Sequence, residues 1–94
     1  MNEVLIALRP VARRYSAITA SGRWQWGGSA KEIVAQMAAM EFNPAGSLLH
    51  YMRRVQKRVK VAMDIDIRIE PGKYLLFLRE LERQKLLYLS DKPI

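Results

Sequence analysis

At 94 residues, with a formal net charge of +7 and no cysteine, the chain is bounded to one small domain without a disulfide framework or a thiolate metal site. Half of the residues are hydrophobic, enough to build a core that is marginal at this size and that a homodimer would extend. No apolar run approaches the roughly 20 residues of a membrane span, and no basic segment precedes Val4–Leu8 as in a signal peptide, so a cytoplasmic protein with an acidic partner is expected.

Val4, Leu8, Val11, Tyr15 and Ile18 recur at spacings of 4, 3, 4 and 3, which predicts a helix over residues 3–19 with Arg9, Arg13 and Arg14 off its apolar stripe. Pro10 either kinks this helix or begins it, leaving Val4–Leu8 extended. Ala20-Ser21-Gly22 breaks the pattern, and Arg23-Trp24-Gln25-Trp26 alternates before Gly27-Gly28, so a short strand is predicted over 23–26. Ser29-Ala30-Lys31-Glu32 is a capping box that opens a helix over 30–40. Asn43-Pro44 is a second start signal, and Leu48, Met52, Val55 and Val59 give the stripe of a helix over 44–59. A link of about three residues between two helices suits a helix-turn-helix.

The period then changes to two. Val61, Met63, Ile65, Ile67 and Ile69 alternate with Ala62, Asp64, Asp66, Arg68 and Glu70, which predicts a strand over 60–69. Glu70-Pro71-Gly72-Lys73 is a turn over 70–73. Residues 74–78 read as a returning hairpin strand or as helix, and a helix is predicted over 79–88.

This order resembles the winged-helix variant of helix-turn-helix DNA-binding domains, whose short strand lies between the first two helices and pairs with the wing. The resemblance covers residues 3–79 and implies an α+β fold: a helix-turn-helix, a small antiparallel sheet and a C-terminal helix. It also implies a DNA-binding function, with 44–59 as the recognition helix. The Glu70–Lys73 turn is shorter than many wings.

The stretch from Phe42 to Met63 holds Arg53, Arg54, Lys57, Arg58 and Lys60 and no acid. Ser47, His50 and Arg54 are spaced to share one exposed side near the helix start, where they suit contacts with base edges. Arg53, Lys57, Arg58 and Lys60 suit phosphates, with Arg13, Arg14 and Lys73 as flanking candidates. The plain alternative for every one of these cations is a solvated face. A small sequence-specific transcriptional regulator, acting on double-stranded DNA as a dimer, is the first reading. The second is a protein-interaction module, such as a small subunit or a phage- or plasmid-encoded inhibitor, docking its basic face on an acidic protein. Membrane-surface binding by the basic amphipathic helix is a weaker alternative.

Nothing points to an enzyme, a cofactor or a metal. His50 is the single histidine and has no partner cluster. Asp64 and Asp66, roughly 7 Å apart if they share a strand face, read as a wet face answered by neighbouring basic groups. Gly27-Gly28 ahead of a helix lacks a phosphate-loop pattern. Trp24 and Trp26 can stack nucleobases, but core packing is the stronger reading for at least one of them.

Overall fold

The computed structural model describes residues 13–91. The elements run β1 (Tyr15–Thr19), β2 (Gln25–Gly28), α1 (Ala30–Ala39), α2 (Leu48–Met63), α3 (Tyr74–Arg83) and β3 (Leu87–Ser90). The architecture is α+β, with three helices and an antiparallel sheet of order β2-β1-β3; α1 and α3 contact the sheet, and α2 packs on α1.

The predicted helix over 3–19 is corrected where it can be seen. Residues 15–19 are a strand, and 3–12 lie outside the described residues. Tyr15 and Ala17 point into the core while Ser16 and Ile18 are half-buried on the other face. The spacing that suggested a stripe was overridden by pairing on both edges, with Tyr15 opposite Gly28 and Ile18 opposite both Gln25 and Tyr88. Tyr, Ile and Thr favour such a pleated surface. The β1–β2 turn is tied by the Thr19 hydroxyl, which accepts from the Arg23 amide at 3.0 Å. The short strand predicted over 23–26 forms two residues later, over 25–28.

α1 begins as expected. The Ser29 hydroxyl accepts from the Glu32 amide at 3.1 Å, and the Glu32 carboxylate accepts from the Ser29 amide at 3.4 Å. Gly28 is required just before it: its φ is +130°, and a Cβ there would lie 2.7 Å from Glu32 Oε2.

α2 starts later than Asn43-Pro44 suggested. Its N-cap is Ser47, whose hydroxyl accepts from the His50 amide at 3.1 Å, so the link between α1 and α2 is residues 40–47 rather than a tight turn. It also runs further, through Met63, and stops where Asp64 adopts φ +55° and donates its amide to the Lys60 carbonyl at 2.9 Å.

The strand predicted over 60–69 does not form. Residues 60–63 are the last turn of α2, Asp64 is its left-handed cap, and 65–70 have no regular secondary structure and belong to no sheet. The alternation is nonetheless used: Ile67 is 2% exposed and Ile65 and Ile69 pack partly against the core, while Asp66 and Arg68 face out. Side chains take the place of a partner strand. The Gln56 amide donates to the Ile67 carbonyl at 2.9 Å, and the buried Glu80 carboxylate accepts from the Arg68 amide at 3.3 Å.

The turn over 70–73 forms, with the Lys73 amide donating to the Glu70 carbonyl at 3.1 Å and Gly72 at φ +76°. It leads into α3 rather than a hairpin strand, so residues 74–78 are helix and the wing is not built. The predicted 79–88 helix ends at Arg83. There the Leu86 amide bonds the Leu81 carbonyl and the Lys85 amide bonds the Glu82 carbonyl, with Lys85 at φ +61°. This is a Schellman stop with lysine where glycine is usual. β3 follows at once and pairs with β1.

Phe77, Ile33, Met52, Ile67, Leu78, Leu87 and Val34 are the largest fully buried side chains. Tyr51 meets Phe77 edge-on, with ring centroids 6.2 Å apart. The core thus joins all three helices, the 64–70 segment and the sheet, and leaves one side of α2 free.

Candidate nucleic-acid interface

Helical periodicity divides α2 into two halves. Leu48, Tyr51, Met52, Val55 and Val59 turn toward the core. His50, Arg53, Lys57, Arg58, Lys60 and Val61 are exposed, and Arg54 is half-buried beside them. The outer half carries no carboxylate of its own.

Its cations are not equivalent. Arg58 pairs with Glu41 at 2.6 Å. Lys60 lies 3.0 Å from Asp64 and 3.4 Å from Asp66, and hydrogen bonds to these two carboxylates hold its ammonium above the ordinary lysine range. The Arg54 guanidinium donates to the Asn43 carbonyl. Arg53 and Lys57 make no ion pair among the described residues, so they are the most readily offered to an external anion.

The expected base-contacting trio is brought together. Ser47, His50 and Arg54 line one shallow concavity of about 610 Å³ with Leu49, Arg53 and Lys57. Ser47 spends its acceptor on the helix cap and keeps its hydroxyl proton to donate. A second concavity continues along the helix between Arg54, Lys57, Arg58, Val61 and Ala62. Arg13 and Arg14 are exposed ahead of β1, and Lys73 is the N-cap residue of α3. None of these three lines either concavity.

Sequence reasoning missed the loop that borders this face. Glu41 sits immediately before the acid-free run and reaches back to Arg58, and the Asn43 carbonyl receives Arg54. Residues 41–43 therefore lie alongside the middle of α2. Tyr51 lies near the Arg58–Glu41 pair, and its phenol is pushed up to about 12, first by burial and then by Glu41, with Arg58 opposing.

The remaining candidates have structural partners. Asp64 and Asp66 both serve Lys60. Gly27 gives its amide and its carbonyl to Gln36, and so presents no free cradle for a phosphate. Trp26 is buried, whereas Trp24 is half-exposed with the Arg23 guanidinium 5.5 Å from its ring centre. No helix among the described residues is long and apolar enough to cross a membrane.

An α+β domain that presents one acid-free cationic helix face is the class the structure defines. No protein-family model, curated protein or solved structure matches the chain.

Proposed function

We propose that the chain is a small DNA-binding protein that lays the outer face of α2 against duplex DNA. The observation that carries this reading is the acid-free half of α2, in which Arg53 and Lys57 are left without carboxylate partners among the described residues. A helix of 16 residues spans about 24 Å, and the major groove, about 12 Å wide, admits one. Ser47, His50 and Arg54 near its start would meet base edges, and Arg53 and Lys57 would meet phosphates. Arg58 and Lys60 would contribute less, because a phosphate must compete with Glu41, Asp64 and Asp66 for them.

α1 and α2 act in this reading as the helix-turn-helix pair, with a longer link than the usual turn and without a wing. A sequence-specific transcriptional regulator working as a dimer on paired half-sites is the role that fits it. Docking on an acidic protein is the second reading, favoured by exposed Phe42 and Val61 among the cations.

A mobility-shift titration against duplex DNA over a salt series tests the proposal. Affinity should fall steeply between low and moderate salt as counterions are released. A flat response, or a partner captured from nuclease-treated lysate while duplex DNA is ignored, would favour the protein reading instead.

A further inference from the structure

Phe42 has a relative exposure of 105%, the extreme for a large apolar side chain among the described residues. Its neighbours on both sides are anchored: Glu41 by Arg58, and the Asn43 carbonyl by Arg54. The backbone that carries the ring is therefore pinned at two points to the flank of the cationic face. Val61, 80% exposed, lies one turn beyond Arg58 on α2.

A duplex seated on Arg53, Arg54 and Lys57 would approach the flank that carries Phe42 and take water from its ring. Phosphates offer that ring nothing, and most of each base edge is donor or acceptor. The 5-methyl of thymine is the apolar group that the major groove presents. Burying Phe42 there is most favourable where a thymine methyl lies beneath it. We infer that Phe42 is a specificity-determining residue that packs on a thymine methyl next to the base read by Arg54. This inference rests on the duplex-DNA reading and adds to it a base preference and the residue responsible.

The test compares two synthetic duplexes, alternating dA–dT and alternating dA–dU, which differ only by that methyl group. Fluorescence anisotropy at one fixed low salt concentration measures both. The wild-type chain should bind the thymine duplex about fourfold more tightly, the increment expected for one buried methyl. Phe42→Ala should bring the ratio close to one, and its effect on the uracil duplex should be small. Arg53→Ala should weaken both duplexes and leave the ratio intact. Because Phe42 contributes nothing to the core, Phe42→Ala should match the wild type in thermal unfolding, so lost discrimination is not lost folding. A wild-type ratio of one, or a ratio that survives Phe42→Ala, overturns the role of Phe42 while leaving the duplex reading in place. Failure to bind either duplex overturns both.

Discussion

The side-chain amide of Gln36 mimics a neighbouring strand for Gly27. Its nitrogen donates to the Gly27 carbonyl at 2.8 Å and its oxygen accepts from the Gly27 amide at 3.3 Å. β2 is an edge strand, and these two bonds close the part of its rim that faces away from β1. An unpaired rim is a template for pairing with another chain. Gln36→Ala should lower unfolding stability by about 1–2 kcal/mol and cause concentration-dependent association. Denaturant titration and sedimentation velocity measure the two effects. A variant as stable and as monodisperse as the wild type would show that the Gln36 bridge is dispensable.

Gly28 is the second check on the same corner. Gly28→Ala brings a Cβ to 2.7 Å from Glu32 Oε2 at φ +130°. Glu32 can leave only by giving up the capping box. A loss of about 1–3 kcal/mol is expected, read as a shift in the denaturant midpoint. Combining it with Glu32→Ala should cost less than the sum of the two single changes, because the second removes the Glu32 Oε2 and Cδ atoms, leaving only the Cβ at 3.1 Å beside the new methyl.

The legibility of the chain follows how local each signal is. The capping box of α1 was readable because Ser29 and Glu32 satisfy each other within one turn. β1 was not, because its second partner, β3, lies at the far end of the chain and no local pattern reveals it. The alternation of Ile65, Ile67 and Ile69 correctly reported one-sided burial. It did not report that Gln56 and Glu80 would supply the hydrogen bonds of a missing strand. On α2, the shared face of Ser47, His50 and Arg54 was legible from helical spacing. A basic partner for Asp64 and Asp66 was legible in kind and is Lys60, whereas the partial neutralisation of Arg58 by Glu41 was not, because Glu41 stands just outside the acid-free run.

That neutralisation predicts an asymmetry among the cations. Arg53→Ala and Lys57→Ala should each weaken DNA binding on all sequences and reduce the slope of log affinity against log salt by about one. Removing the competing carboxylates with Asp64→Asn and Asp66→Asn together should do the reverse, freeing Lys60 and steepening the slope. Unchanged salt slopes in all of these variants would count against phosphate contact by α2.

Alkaline pH should expose the burial of Tyr51. Its folded-state value of about 12 lies above the ordinary value near 10. The neutral phenol is therefore favoured in the fold. Its contribution is fully present below about pH 10 and is lost as pH rises toward 12, a decline of about 2–3 kcal/mol. Tyr51→Phe cannot ionise and should flatten that limb of the stability profile. Urea titrations from pH 8 to 12 on both proteins provide the comparison, and parallel curves would contradict it.

β1 is clasped between a strand made directly after it and one made near the end of the described chain. During synthesis the residues of β1, β2 and α1 are all available before those of β3. The other rim of β1, including the Ala20 amide that bonds Leu86, has no partner until β3 arrives. α2, with its cationic face, is complete well before that moment. A nascent chain can thus carry the whole of its cationic helix while its sheet is still half-open. The last pairing is also the one that demands the longest loop closure, so defects in β3 should act as folding defects and register at β1, at the other end of the described sequence.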